Sequence, residues 1–187
     1  MRVVLGVAGA SGAALALAAA THLRALGAQI DLVISPAAER TLATECGADA
    51  LERLVALCDR RHDARDVGAT IASGSYPVAG MLIAPCSMRS LAAIAQGLDD
   101  NLLTRAAGVQ LKERRPLVLL AREAPLTLAH LRNMTAVTEM GGIILPPVPA
   151  FYLLPQTTAQ IVTQIAARAV DLLRLGRPVA QAWEGEG

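Results

Sequence analysis

Aromatic residues and lysine are scarce in this chain of 187 residues. Only four residues are aromatic, and 16 of the 17 basic residues are arginine, which leaves Lys112 as the single lysine. A platform for single-stranded nucleic acid needs several exposed rings, so this composition argues against one. A net charge of +1 gives no general attraction to polyanions. We therefore expect no nucleic-acid partner and a core built from aliphatic and alanine side chains.

Cysteine, histidine and charge are also sparse. The charged fraction is 18% and the apolar fraction 53%, which excludes a disordered segment. An odd number of cysteines without C-x-x-C spacing argues against a disulfide framework or a zinc cluster. We expect a reduced, cytoplasmic protein without a metal. The cysteines are Cys46, Cys58 and Cys86, and the histidines are His22, His62 and His130.

The N-terminal region contains no charged residue between positions 3 and 23. Such a run resembles a signal peptide or a membrane span. However, glycines at positions 9 and 12 interrupt it, and the part that follows is mostly alanine, which is weakly hydrophobic. A buried strand, a tight glycine turn and a buried helix explain the run better, so no membrane span is expected.

Short aliphatic runs alternate with helical patterns along the chain. This alternation predicts a three-layer α/β fold, a Rossmann-like doubly wound parallel sheet in a single domain, residues 1–187, with residues 176–187 as a C-terminal tail. Residues 60–66 are read as a polar loop. Strands are predicted at residues 3–7, 29–34, 81–84, 116–121 and 142–145, and helices at 13–26, 35–46, 50–57, 87–96, 101–113, 127–140 and 157–175.

The predicted strand order 2-1-3-4-5 places the loops after the first and third strands side by side, where ligands bind in such sheets. Residues 9–12, G-A-S-G, either bring the backbone close to an anion or form a plain tight turn. Ser87 either caps a helix or joins Arg89 and Ser90 in holding a phosphate or a flavin edge. Cys86 is interpreted as a packing residue, because the sequence offers it no local base.

Several charged residues stand out by position. Arg122-Glu123 directly follows an apolar strand at its carboxyl end, which points to a site. Glu45 is either a surface carboxylate or a general acid or base. Arg168 interrupts an otherwise neutral helical stretch and faces either a ligand or another subunit. No Ser-His-Asp arrangement suggests a hydrolase.

A set of short motifs spans nearly the whole chain: V-A-G-A-S-G-A, I-S-P-A-A-E, S-G-S-Y, P-C-S-M-R-S-L-A, K-E-R-R-P-L, R-E-A-P-L and P-P-V-P-A-F-Y. Together they resemble the flavin prenyltransferase family (UbiX-like). The resemblance implies a flavoprotein fold that binds reduced FMN and dimethylallyl phosphate and makes prenylated FMN for a UbiD-type decarboxylase. It also implies no metal, and a homo-oligomer built from trimers, commonly a dodecamer, with the site shared between subunits.

The resemblance also assigns roles to residues. For FMN binding they are Gly9, Ala10, Ser11, Ser35, Ser87, Met88, Arg89, Ser90 and Arg122. For dimethylallyl phosphate they are Tyr152, Arg168, Lys112 and Trp183. For catalysis they are Ser11, Glu45, Lys112, Glu123 and Arg105. Arg89 and Ser90 depart from the lysine and threonine usual in the family.

Two other functions stay open. The first is an FMN-dependent cysteine-type decarboxylase of the same fold, which uses an early histidine; His22 lacks the expected context. The second is a non-catalytic flavin carrier or partner subunit of a decarboxylase, a hypothesis motivated by the departures at Arg89 and Ser90.

Overall fold

A six-stranded sheet forms the centre of the molecule. The structure is a computed structural model, and it describes residues 1–183 and 185. Residues 184, 186 and 187 of the predicted tail lie outside the described part. All strand pairs are parallel, in the order β3-β2-β1-β4-β5-β6. The strands are β1 Arg2–Val7, β2 Gln29–Ile34, β3 Arg60–His62, β4 Met81–Cys86, β5 Leu117–Ala121 and β6 Ile143–Ile144.

Helices cover both faces of this sheet. On one face α1 packs against α7, with α3 beside α1, and on the other face α4 packs against α5 and α6. Two short 3₁₀ turns lie at Thr70–Ala72 and Phe151–Leu153. The helices are α1 Ala14–Ala25, α2 Pro36–Cys46, α3 Ala50–Ala56, α4 Met88–Ala95, α5 Leu102–Lys112, α6 Leu128–Glu139 and α7 Thr158–Asp171.

The core is aliphatic, as the composition predicts. Strands β4 and β5 are buried along their whole length, and β1 and β2 are buried except at their first residue. Alanines at positions 16, 19 and 20 are fully buried on α1. Small side chains at these positions let the helix lie close to the sheet and to α7. This close approach buries backbone and Cβ atoms, so the core is filled without aromatic rings. The uncharged N-terminal run is therefore a strand, a turn and a helix.

The five predicted strands lie in the predicted order, and β3 is an additional edge strand. The prediction of a loop at residues 60–66 is wrong for Arg60–His62, which pairs with β2. Arg60 and Arg61 are exposed and His62 is buried, so this three-residue strand carries no apolar run to signal it. At the opposite edge β6 contains only two residues, fewer than predicted.

Backbone hydrogen bonds join four strand ends at the carboxyl edge of the sheet. Ala8 donates to Pro85 O at 3.1 Å, Ser35 donates to Val7 O at 3.0 Å, and Arg122 donates to Cys86 O at 3.1 Å. The loops after β1 and β4 are therefore neighbours, at the point where strand order reverses. Within the described part of the chain, no helix is both long and apolar enough to cross a bilayer.

Candidate functional site

A cavity of about 430 Å³ opens at this carboxyl edge, between the loops that follow β1, β2 and β4. It brings together predicted flavin residues from three separate parts of the sequence. The sequence did not predict that Ala64 and Asn101 line this cavity. The only signal for Ala64 was its place in the polar run 60–66, and the only signal for Asn101 was its place at a helix start. The lining consists of Gly9, Ser35, Pro36, Ala37, Ala64, Ser87, Arg89, Ser90, Asn101 and Leu103.

Hydroxyl groups at two helix starts face this region. Ser35 Oγ accepts from Ala38 N at 3.2 Å and Ser87 Oγ accepts from Ser90 N at 3.2 Å, so both serines are N-caps. Ser87 Oγ also donates to Ser90 Oγ at 3.1 Å. Arg89 is the one charged side chain in the cavity lining. Capping and ligand binding are compatible here, because a hydroxyl oxygen has two lone pairs and one proton.

Gly9 lies in close contact with α2. A Cβ atom at this position would overlap the Cβ of Ala37 and lie 3.2 Å from the Ala37 carbonyl carbon. The glycine is therefore required for the approach of the loop to the helix, which brings Gly9 and Ser35 to one cavity wall.

We expect Gly9→Ala to lower the free energy of unfolding by about 1–3 kcal/mol, because the overlap with Ala37 forces backbone to move. Urea denaturation measures the change. Gly176→Ala is the matched control, since nothing lies within 4 Å of a Cβ at that position. An equal effect of the two substitutions would contradict the proposed contact.

Glu45 holds the start of α1. Its Oε2 atom accepts from Gly12 N and Ala13 N, each at 2.8 Å, across more than 30 residues of sequence. Burial acts to raise the pKa of Glu45, but hydrogen bonds from Ser11, Ala13 and Gly12, with the charge of Arg122, outweigh it and lower the pKa. The Glu45 residue is exposed, as a surface carboxylate would be, and its carboxylate occupies the anion-binding end of α1.

Arg122 and Glu123 lie at the end of β5, next to the glycine turn. Arg122 Nε donates to Ser11 O at 3.0 Å, which links the loops after β5 and β1. Glu123 is exposed, and its Oε1 accepts from the backbone N–H of Ala124 at 3.0 Å. Glu45 and Arg122 therefore both hold the loop that carries the Ser11 hydroxyl, and Glu123 directly follows Arg122 in the chain.

Cys86 is a packing residue, as predicted. Its side chain is fully buried, and burial raises the pKa of the thiol to about 12. A protonated, inaccessible thiol is neither a nucleophile nor a metal ligand. The part of the chain that the structure describes contains no group of three or more His, Cys, Asp or Glu side chains placed to hold a metal ion.

A second cavity of about 430 Å³ lies between α7, the segment after β6 and the C-terminal segment. Tyr152, Arg168 and Trp183 all line it, and the two rings meet edge to face with centroids 5.2 Å apart. The C-terminal segment is held by Asp171, which accepts from Val179 N at 2.7 Å and Ala180 N at 3.1 Å. Three residues predicted to bind dimethylallyl phosphate thus meet, although this cavity shares no lining residue with the first.

Lys112 lies near the amino-terminal end of β5, opposite the carboxyl edge of the sheet. It is the last residue of α5, and the chain then leads to the start of β5. The five residues of β5 therefore separate Lys112 from Arg122 by about 15 Å. Its ammonium pairs with Glu113 and lies against Gly74, where an added Cβ would be 2.5 Å from Nζ. Arg105, at the start of the same helix, pairs with Asp99 at 2.8 Å.

Comparison with known proteins decides the family. A profile of the Flavoprotein family matches residues 1–170. The flavin prenyltransferase UbiX of Neisseria meningitidis is 50% identical over 184 residues, which cover 98% of this chain and 97% of that protein. This chain belongs to the UbiX flavin prenyltransferase family.

Solved structures agree with this membership. AnUbiX (PadA1), in complex with FMN and dimethylallyl pyrophosphate, superposes with a TM-score of 0.94 at 41% identity and covers all of this chain and 98% of its own. A dodecameric FMN-dependent UbiX-like decarboxylase from Escherichia coli O157:H7 also gives 0.94, at 42% identity, covering 99% of this chain and 100% of its own. Cysteine decarboxylases of the same fold are only 15% identical, a likeness that shows the fold alone.

The donor set of the first cavity fits a flavin that carries a phosphate. It offers three serine hydroxyls, an asparagine amide and one guanidinium around an open volume, with apolar walls from alanine and leucine. Binding pockets for cofactors combine apolar walls with a few placed polar groups in this way. The chain's own residues are therefore compatible with FMN.

Proposed function

We propose that this flavin prenyltransferase joins the dimethylallyl group of dimethylallyl phosphate to reduced FMN, making prenylated FMN. The observation that supports the proposal is the cavity at the point where strand order reverses. The chain that forms it is 50% identical to a UbiX enzyme over almost its full length. When bound, reduced FMN supplies the nucleophilic ring atoms that accept the five-carbon group. The flavin would lie along the loops of Gly9, Ser35, Ser87 and Arg122.

Basic side chains would take the phosphate that leaves. Breaking an allylic C–O bond places negative charge on the departing phosphate, and fixed cations stabilise that charge. Lys112, Arg122 and Arg168 are proposed for this role. Tyr152 and Trp183 offer π faces toward the allylic carbons, whose positive charge such faces stabilise where water is excluded.

Carboxylates would handle the proton that leaves as the new ring closes. Glu123 is proposed as the base, Ser11 and Glu45 as further groups that take part in the proton transfer, and Arg105 as part of the charged network. The departing phosphate is an alternative acceptor for the same proton.

One protomer does not bring all these groups together. The flavin residues, the cavity of Tyr152 and Arg168, and Lys112 occupy three separate regions of the described chain. We propose that copies of the chain complete the site for one another in a homo-oligomer based on trimers, with a dodecamer as the expected assembly. The dodecameric relative from Escherichia coli O157:H7 supports this proposal.

Mixing two variants tests the shared site. Lys112→Met and Glu123→Gln should each lose activity alone, since each removes a proposed group from every site. After co-expression and random co-assembly, about a quarter of the sites regain both groups if they belong to different copies. Prenylation rates of the mixed oligomer measure this recovery. No recovery in a verified mixed oligomer would contradict a site that takes Lys112 and Glu123 from two chains.

The activity itself is tested by mass spectrometry. The protein is incubated without oxygen with reduced FMN and dimethylallyl phosphate, and the flavin is then analysed. The proposal expects a mass increase of one prenyl unit. Tight FMN binding without this increase, together with co-purification of a decarboxylase, would favour a flavin carrier, and turnover of a cysteine-terminated substrate would favour a cysteine decarboxylase.

We also propose that the product serves a UbiD-type decarboxylase and that the protein works in the cytoplasm. Supplying the reaction mixture to a flavin-free UbiD-type decarboxylase should restore its activity, and cell fractionation checks the compartment.

A further inference from the structure

Arg89 is held by a residue outside the predicted site. Its Nη2 atom pairs with Oδ2 of Asp100, in the loop before α5, 11 residues further along the chain. No other hydrogen bond from the Arg89 side chain is recorded within the described residues, so the remaining guanidinium N–H groups stay available beside the cavity. This pairing gives a physical reason for arginine at this position, because a guanidinium has five donors whereas an ammonium is a single point charge.

Asp100 is itself fixed. Its Oδ1 atom accepts from Asn101 Nδ2 at 2.9 Å and from Thr104 Oγ1 at 3.4 Å. The hydrogen bond from Arg89 and its charge lower the pKa of Asp100 despite partial desolvation, so the carboxylate stays ionised at neutral pH. Asn101 is the N-cap of α5, so the carboxylate also lies at the positive end of that helix.

The start of α1 and the first cavity are two anion-binding features at this edge of the sheet. The amides that begin α1 already donate to Glu45. The first cavity contains one basic side chain among its lining residues, and that side chain is Arg89. Arg89 and the start of α5 offset the negative charge of Asp100. Both side chains of the Arg89–Asp100 pair are about half exposed, so solvent screens the repulsion between Asp100 and a phosphate.

We propose that Asp100 is a positioning residue that holds the Arg89 guanidinium at the cavity, with its remaining N–H donors directed to the flavin phosphate. An exposed arginine must otherwise lose rotamer freedom when it binds, and this cost weakens affinity. Asp100 reduces that cost because it orders the side chain before the ligand arrives. The inference rests on the proposed function for the identity of the ligand as FMN.

Comparing FMN with riboflavin tests the inference, since riboflavin lacks the phosphate. Dissociation constants of the full-length protein are measured by flavin fluorescence. Asp100→Asn should weaken FMN binding about three- to tenfold and change riboflavin binding less than about twofold. In an Arg89→Gln background the same substitution should have almost no further effect on FMN, because Asp100 acts through Arg89.

Asp49→Asn is the matched control. Asp49, which directly precedes α3, pairs with Arg53 at 3.0 Å in a similarly exposed setting, and its substitution changes the net charge by the same amount. It should leave both dissociation constants unchanged. Tighter FMN binding by Asp100→Asn would show that Asp100 competes with the phosphate, and equal weakening of FMN and riboflavin would show a merely structural role; either outcome overturns the inference. Failure of the wild-type protein to bind FMN would instead overturn the proposed function.

Discussion

Replacement of Glu123 by glutamine should lower the prenylation rate by about two to four orders of magnitude while FMN affinity changes little. Loss of a general base has an effect of this size, because glutamine keeps the shape of the side chain but cannot accept a proton. Glu123 follows the last residues of β5, and the Ala124 N–H fixes one of its oxygens. Glutamine retains an oxygen that can accept the same bond, so the local backbone should stay in place.

Single-turnover kinetics without oxygen measure the rate, and flavin fluorescence measures the affinity. Glu139→Gln is the control, because Glu139 is an exposed carboxylate at the end of α6 and away from the carboxyl edge of the sheet. Near-normal rates for Glu123→Gln would remove Glu123 from the proton transfer and leave the departing phosphate as the acceptor.

Replacement of Glu45 by alanine should damage both stability and activity. It leaves the Gly12 and Ala13 N–H groups and the Ser11 hydroxyl without their carboxylate partner. Loss of a helix cap costs about 0.5–2 kcal/mol of unfolding free energy. The loop of residues 9–12 then loses its anchor, and we expect the prenylation rate to fall by about 100-fold or more, since Ser11 and Glu45 are both proposed catalytic groups.

The stability effect of Glu45 should depend on pH with a definite sign. Hydrogen bonds and the nearby charge of Arg122 lower its pKa in the folded protein below the ordinary value of 4.5. The ionised carboxylate therefore stabilises the fold above pH 4.5, and this contribution disappears as the pH falls through the lowered pKa. Urea denaturation should show a larger difference between wild type and Glu45→Gln at pH 7 than at a pH below the lowered pKa.

Glu52→Gln provides the comparison, as an exposed carboxylate on α3 without a recorded hydrogen bond among the described residues. It should show little difference from wild type at either pH. A pH-independent loss of stability in Glu45→Gln would mean that the charge of Glu45 is not what holds α1.

Much of the fold was predictable from local signals. Continuous apolar runs located the long strands, and Ser35 with Pro36 marked a helix start that the structure confirms. The edge strand β3 was not predictable, because its pairing with β2 buries only His62 and leaves two arginines exposed. A tertiary contact, the 2.8 Å pair between His62 Nε2 and Oδ1 of the buried Asp31, also holds the strand. The hydrophobic periodicity of residues 60–66 gives no sign of this contact.

The candidate site shows a similar division. Strand order was enough to predict that the glycine turn and the Ser87 turn meet, and a hydrogen bond from Ala8 to Pro85 joins them. The cap that Glu45 provides was not predictable, because it connects residues more than 30 positions apart and depends on the angle of α2. The position of Lys112 at the opposite edge also escaped prediction, since its role came from a resemblance between sequences and not from the path of α5.

The contact between Trp183 and Tyr152 has a practical consequence for experiment. Trp183 is the only tryptophan in the chain, so the indole emission of the protein comes from the second cavity alone. Because the indole is 60% exposed there, a ligand that enters the cavity should shift that emission toward shorter wavelengths. The single fluorophore thus reports occupancy of the proposed dimethylallyl phosphate pocket without any label.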